Sequence, residues 1–337
     1  MRIAVDWGST HFRAMRVNDS GQVIDRVKSE QGVLSRSMQD DRGYQDNQRF
    51  AQVIEQHCHA WLSDTPSASC FLGGMIGSRS GWQEVPYLDS TQWLSELSQQ
   101  LQAAPDSSHF LIAGVRQQHK GHWDVMRGEE TQILGAAQML ADDDAANNTL
   151  MLLPGTHCKW AAVSTKKANT DPSIIDARID HFTTFMTGEL YQWAHQHSSL
   201  SGLMTEDVES FDLTAFTAGV EQGRNSLALS QLLFSIRADK LMDTLPGHSC
   251  GDYLSGLLIG HEITSALTEN KFEQKNRRKH LGDVDLVIVG SDALASRYQQ
   301  ALQLCGRDSR MIDAESAYCQ GVLTIDRLRT IPPLNLS

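Results

Sequence analysis

The pattern that most limits how this chain can fold occurs twice. Residues 2–17 read RIAVDWGSTHFRAMRV and residues 150–164 read LMLLPGTHCKWAAVS. Each is an apolar run, a short turn of small and hydroxyl residues, and a second run that returns. Runs of this length separated by so few residues predict antiparallel strand pairs. A pattern met near the start and again near the middle predicts two units of similar build. At 337 residues the chain is long enough for two cores.

The surrounding sequence fills in both units. Residues 22–29 predict a third strand after the turn Asp19-Ser20-Gly21, and 47–62 a helix with Phe50, Val53, Ile54 and Trp61 on one face. Cys70-Phe71-Leu72 predicts a buried strand running into glycines, 90–103 a helix, and 110–113 a short strand. The order then restarts with a helix at 130–140 and a polar link around Asp142–Asp144 and Asn147-Asn148. The repeated strand pair follows, then a strand at 178–185 and a helical stretch over 187–268. The stretch 271–279 is charged and predicts a solvated loop. A strand at 284–289 running into Gly290-Ser291, a helix, a strand at 310–313 and a helix at 315–328 close the chain.

Charge and composition narrow the chemistry. A net charge of −12 argues against nucleic acid as the main partner, which needs a basic surface, but leaves room for a small anionic ligand at a local cationic site. Asp6 interrupts the first apolar run, so no signal peptide is expected, and no stretch reaches the roughly 20 apolar residues of a membrane helix. The six cysteines are scattered without a CxxC pair, which predicts free thiols and a cytoplasmic protein.

The turns carry the chemistry. Small residues between strands expose backbone N–H groups that can hold phosphate oxygens, and Gly8-Ser9-Thr10 and Gly155-Thr156 both qualify. Asp6 beside the first turn needs a partner for its charge: either Mg²⁺ held largely through water, or the N–H groups of Ser9 and Thr10. Asp124-Val125-Met126-Arg127-Gly128-Glu129-Glu130 is read as a helix start, where anions are favoured and where a carboxylate could take a proton from an attacking hydroxyl. The third cluster is Gly74-Met75-Ile76-Gly77-Ser78-Arg79-Ser80-Gly81-Trp82 with Tyr87 beyond it. Its glycines allow close approach and its aromatic walls suit a sugar-like ligand. Arg79, Arg127 and Lys159 are candidate cations for a ligand carboxylate.

At these residues the chain resembles the 2-dehydro-3-deoxygalactonokinase family, kinases of 2-keto-3-deoxy sugar acids. The resemblance rests on DWGSTHFRA, GMIGSRSGW with PYL, VMRGEETQILGA, LLPGTHCKW, FMTGELY, FTAG, LSGLLIG and ASRYQQAL, in family order from residue 6 to about 302. It implies the fold of the sugar kinase, Hsp70 and actin superfamily: α/β, two ribonuclease-H-like lobes of mixed five-stranded sheets with flanking helices around an ATP cleft. The expected lobes are 1–128, with the sugar-acid site, and 129–337, with the last helix packing back on the first lobe. The implied reaction is ATP-dependent phosphorylation of 2-dehydro-3-deoxy-D-galactonate to its 6-phosphate. The alternatives are a kinase of the gluconate-derived epimer or another sugar acid, or a polyphosphate or nucleotide phosphohydrolase.

By the resemblance, Asp6, Gly8, Ser9 and Thr10 match the first phosphate motif, with Asp6 as Mg²⁺ ligand. Gly155 and Thr156 match the second, where Pro154 stands near the place of an acid in many members. Gly290 and Ser291 match the adenosine motif, with Gly256 and Gly260 of the neighbouring helix allowing close packing or close nucleotide approach. Glu129 is the expected base, with Asp124 in reserve. Gly74, Met75, Gly77, Ser78, Arg79, Trp82, Tyr87 and Arg127 are the expected substrate residues. The expected partners are ATP and a sugar acid, with no nucleic acid and no membrane, and a homodimer is left open.

Overall fold

The computed structural model describes residues 1–38, 47–141, 148–169, 171–204, 211–225, 227–268 and 285–330. The polar link at 142–147 and the charged stretch at 271–279 lie outside them. β1 (Arg2–Trp7), β2 (Phe12–Val17) and β3 (Val23–Ser29) form the antiparallel start, with Asp6 opposite Arg13 across the first hairpin. α1 (Asn47–Asp64) leads to β4 (Cys70–Gly74), which lies parallel to β1 and sets Asp6 beside Gly73 and Trp7 beside Gly74. Trp7 packs edge-on against Phe12 and Phe50, at 4.7 and 5.5 Å between ring centres, and so pins the hairpin to α1.

β5 (Leu88–Asp89), β6 (Gln102–Ala103), β7 (Phe110–Leu111), β8 (Val115–His119) and β9 (His122–Met126) follow. The first sheet has the order β3-β2-β1-β4-β7-β6 and is mixed, since β4 and β7 run parallel to β1 while β2, β3 and β6 pair antiparallel. It has six strands rather than five because the two-residue β6 adds an edge.

Two regions depart from the sequence reading. Residues 90–103 are not one helix: only Leu94–Ser98 is helical, as a short 3₁₀ turn. Leu94 and Leu97 are buried three apart, the 3₁₀ period, and the Ser95 N–H and hydroxyl both donate to the Asp176 carboxylate, at 2.9 and 2.7 Å. The second departure is a separate three-stranded sheet, β5-β8-β9. Its hairpin turns on Lys120 and Gly121, both with positive φ (48° and 83°), the backbone form of a tight two-residue turn. Asp124 therefore lies on β9 opposite Gln117, not at a helix start.

α2 (Glu129–Met139) begins the next layer, and β10 (Asn148–Leu153), β11 (Cys158–Lys167) and β12 (Ile175–Phe185) the second sheet. The helical stretch divides into α3 (Thr187–His197), α4 (Leu213–Gly223), α5 (Leu229–Leu241) and α6 (Cys250–Thr268). β13 (Asp285–Gly290), α7 (Asp292–Leu304), β14 (Arg310–Asp313) and α8 (Ala314–Thr330) complete the order. The second sheet runs β12-β11-β10-β13-β14, with β13 parallel to β10. Its core includes Leu152, Trp160, Phe216, Ile263, Ile288 and Tyr298.

The chain forms two compact units, Met1–Asn148 with Val163–Asp180 and Ile312–Ser337, and Thr149–Ala162 with His181–Met311. The sequence reading draws one boundary at 128 and packs the last helix back on the first lobe; the contacts group α2 as well as α8 with the first sheet. The reason is close helix packing: a Cβ on Gly135 would land on the Ala317 backbone, and one on Gly321 on the Thr131 backbone. In the second unit α4 and α6 meet in the same way, through Gly219, Gly223, Gly256 and Gly260. Among the described residues no helix is long and apolar enough to cross a membrane, and all six cysteines are free thiols.

Candidate active site

In the first unit, the ends of β1 and β4 and the start of α2 converge. Gly128 caps α2 with φ 106°, a conformation open to glycine. A Cβ there would meet the Gly74 backbone at 3.6 Å and Asp6 Oδ1 at 3.9 Å. So Asp6, Gly74 and Gly128 form one bare corner. Asp6 keeps about a quarter of its side chain in solvent and receives Arg13 Nη1 at 3.2 Å. Burial pushes its carboxyl above the ordinary value, and the Arg13 charge and hydrogen bond draw it part of the way back.

Asp6 does not cap its own turn. The Gly8–Thr10 turn is instead held from behind: the N–H groups of Val33 and Leu34 donate to the Gly8 and Ser9 carbonyls, both at 2.9 Å. Among the described residues the N–H groups of Ser9 and Thr10 have no hydrogen-bond partner. Two adjacent backbone N–H groups left over in this way are what an anion nest requires.

The two glutamates at the start of α2 differ sharply. Glu129 Oε2 accepts the Arg127 N–H at 3.0 Å and its side chain is only partly buried. Glu130 is 1% exposed, and both its oxygens accept the Gly128 N–H, at 3.0 and 2.8 Å, while the Thr131 hydroxyl donates to Oε1 at 3.1 Å. Burial, then the neighbouring Glu129 charge, pushes the Glu130 carboxyl up to about 8. Tyr318 of α8 lies below, its O–H donating to the Val5 carbonyl at 2.7 Å.

The substrate candidates separate. Arg127 stacks on the Tyr87 ring at 4.0 Å and donates from Nη2 to the Val85 carbonyl at 2.5 Å. Its Nε and Nη1 are buried without a partner among the described residues, and Nη1 lies beside Gly77. Ser78 is turned onto the Met75 carbonyl, at 2.7 Å. Arg79 is 87% exposed and paired with Glu84. Trp82 is a core residue stacked on Phe50; it lines a concavity beside α1, away from the Asp6 corner. Lys159 is buried in the second unit.

In the second unit the Gly155–Thr156 turn borders a cleft of about 360 Å³, lined also by Thr187, Gly188, Tyr191, Gln192, Ser255, Leu258, Ile259, Leu294, Arg297 and Tyr298. Glu189 N–H donates to the Thr156 carbonyl at 3.0 Å, and Gly188 packs on Gly155 and Thr156 so closely that a Cβ would displace them. The N–H groups of Thr156 and His157 have no partner among the described residues. Arg297 is fixed by Asp252 at 3.1 Å and by the Ser255 hydroxyl at 3.2 Å. Gly256 and Gly260 do not line this cleft, because their bare faces are filled by Phe216 and Val220 of α4. Gly290 packs against Pro154 and Ala295, and Ser291 caps α7; neither lines the cleft.

The model of the family described as 2-keto-3-deoxy-galactonokinase matches residues 6–325. The chain belongs to that family. The Escherichia coli (strain K12) 2-dehydro-3-deoxygalactonokinase is 32% identical over 324 residues, 96% of each chain. A Rhizobium meliloti (strain 1021) protein, named as a probable 2-dehydro-3-deoxygalactonokinase, is 34% identical over 95% of this chain and 94% of its own. The crystal structure of a Sinorhizobium meliloti protein, a 2-dehydro-3-deoxygalactonokinase by inference only, superposes with a TM-score of 0.77 at 33% identity, covering 99% of this chain and all of that one. The chain is therefore a carbohydrate kinase by family, and ATP use comes with that family.

Sequence reasoning gave no separate role to Glu130, Thr187, Arg297 or Tyr298, although the quoted stretches contain them, and it did not single out Tyr318. The motif FMTGELY contained a usable signal, since a glycine in the first turn of a helix permits close backbone approach, and Gly188 makes that approach to the Gly155–Thr156 turn.

Proposed function

We propose that this chain transfers the γ-phosphoryl group of ATP to the terminal hydroxyl of 2-dehydro-3-deoxy-D-galactonate, giving the 6-phosphate and ADP. Family membership over residues 6–325 is the observation that carries this reading. The two turns with unpartnered N–H pairs suit the chemistry the reaction needs: fixed dipoles for phosphate oxygens that cost no reorganisation during transfer. The second unit's cleft takes the nucleotide, with Arg297 and the Thr156 and His157 N–H groups facing it.

In the first unit Glu129 orients the acceptor hydroxyl. As the oxygen bonds to the γ-phosphorus and the bond to the β-phosphate oxygen breaks, Glu129 takes the hydroxyl proton. Glu130 is buried and holds its own proton to a higher pH, so it supports the helix start rather than acting as base. Arg127 is the cation for the substrate carboxylate: it has two buried donors without partners, whereas Arg79 is spread in solvent and Lys159 is enclosed.

Asp6 fits Mg²⁺ brought in on the nucleotide's phosphates. It is one carboxylate at a corner left bare by two glycines, and among the described residues no group of three acidic, His or Cys side chains forms a complete metal site. When bound there, the ion offsets the charge that spreads over the transferring phosphoryl group.

The test is ATP consumption by the purified protein with Mg²⁺ and 2-dehydro-3-deoxy-D-galactonate, beside its gluconate epimer and a control without sugar. Turnover that requires the galactonate-derived acid supports the proposal. ATP loss without sugar overturns it, and preference for the epimer overturns the substrate assignment.

A further inference from the structure

One buried carboxylate in the second unit does not itself line the cleft, yet it ties together elements that form its walls. Glu262 of α6 is 1% exposed. Its Oε1 accepts Trp160 Nε1–H of β11 at 2.7 Å, and its Oε2 accepts the Tyr298 O–H of α7 at 2.8 Å. The Thr187 hydroxyl at the start of α3 bonds to it as well. Tyr298 Oη lies 2.9 Å from Cys158 Sγ. With its proton on Glu262, Tyr298 presents its oxygen to the thiol. The thiol in turn receives the Gly155 N–H at 3.5 Å and sits 3.3 Å from the Gly155 carbonyl oxygen. A continuous chain thus runs from Glu262 through Tyr298 and Cys158 to the turn.

We infer that Glu262, Tyr298 and Cys158 are positioning residues that hold the Gly155–Thr156 turn in its nucleotide-binding form. This rests on reading the cleft as the nucleotide site. A buried carboxylate without several donors is costly, and apolar residues fill such space more stably, so a fully satisfied network of this kind fixes one geometry rather than adding stability. Cys158 is not a reactive thiol here: burial pushes it up to about 12. Its polarisable sulfur joins a phenol on one side to a backbone N–H on the other.

The experiment compares Cys158→Ala, Cys158→Ser, Glu262→Gln and Gly188→Ala in the full chain, measuring KM for ATP, KM for the sugar acid, kcat and direct binding of ATP with Mg²⁺. Cys158→Ala and Glu262→Gln should each raise KM for ATP by about tenfold or more while the sugar-acid KM stays within about twofold. Cys158→Ser restores a hydroxyl that can accept the Gly155 N–H, and should recover most of the loss. Gly188→Ala pushes directly on the turn and reports on the cleft assignment alone. If Gly188→Ala leaves ATP binding unchanged, the nucleotide reading of the cleft falls. If it weakens ATP while Cys158→Ala does not, the positioning role falls. Equal rises in both KM values, with Cys158→Ser as impaired as Cys158→Ala, would reduce the network to ordinary core packing. Should Glu262→Gln not fold, the Ala and Ser pair at Cys158 still decides.

Discussion

The two strand–turn–strand segments look alike in sequence and are supported alike from behind, yet what stands at the strand end differs. The first turn is backed by the Val33 and Leu34 N–H groups and the second by Gly188 and Glu189, and among the described residues both leave adjacent N–H groups without a partner. Each unit also holds a buried glutamate with a tyrosine near it, Glu130 and Tyr318 in one and Glu262 and Tyr298 in the other. But the first strand ends in Asp6, partly in solvent and paired with Arg13, whereas the second runs into Pro154, packed against Gly290. Similar backbones have been given different charges. In the proposed reaction the first turn suits cation and proton chemistry, and the second suits phosphate oxygens, with Arg297 as the cleft's cation.

The sharpest way to break this comparison is to remove its charge asymmetry. Asp6→Asn should lower kcat by about 10³-fold, the scale of one lost electrostatic group, while Pro154→Ala should change kcat by less than about fivefold. Because burial raises the Asp6 carboxyl in the folded state, ionised Asp6 costs stability at neutral pH. The thermal midpoint of Asp6→Asn should therefore equal or exceed the parent's by calorimetry. A midpoint that drops together with kcat would make Asp6 a structural residue.

Glu129→Gln comes next, with an expected loss of about 10²-fold or more in kcat at little change in either KM, as for removal of a general base. If the base assignment belongs to Asp124, Asp124→Asn will show that loss instead.

The third test separates the acids at the α2 start by their protons. The Glu130 carboxyl lies at about 8 when folded against an ordinary 4.5, so the folded protein binds this proton more tightly than the unfolded chain. The stability it contributes is full below about pH 4.5 and is lost as pH rises to about 8. The parent's midpoint should fall across that window and that of Glu130→Gln should fall less; parallel curves would remove the effect. Smallest of all, Tyr318→Phe leaves the Val5 carbonyl without its donor and should cost about 1–2 kcal/mol in chemical denaturation with kcat nearly unchanged.

Much of this was readable in the sequence because strand alternation and turn composition are local signals. The first hairpin, its third strand, the strand at β13 and the terminal helix stand where their apolar spacing predicts them. The hairpin β8–β9 escaped because its residues do not alternate by polarity: Gln117 is buried while Trp123 and Val125 are exposed, and its turn, Lys120-Gly121, carries one glycine rather than a glycine pair. Residues 90–103 were misread because apolar residues three apart resemble a helix until a distant carboxylate, Asp176, claims the first turn's donors. At the site, residue type located the turns, but helix packing decided roles. Gly256 and Gly260 are bare because α4 lies on them, and Trp82 is flat and apolar because Phe50 needs a neighbour. No one-dimensional pattern distinguishes a glycine that admits a ligand from one that admits a helix.

The bond from Tyr318 to Val5 has a consequence for how the protein is made. Its two ends lie 313 residues apart, so β1 is synthesised long before the helix that bonds to it. The stretch from Thr149 to Met311, which supplies the second unit's turn and cleft, is translated in full before α8 appears. Synthesis therefore completes the later-encoded unit before the earlier one can close, and the Val5 carbonyl of β1 stays without the Tyr318 hydroxyl until α8 has been made.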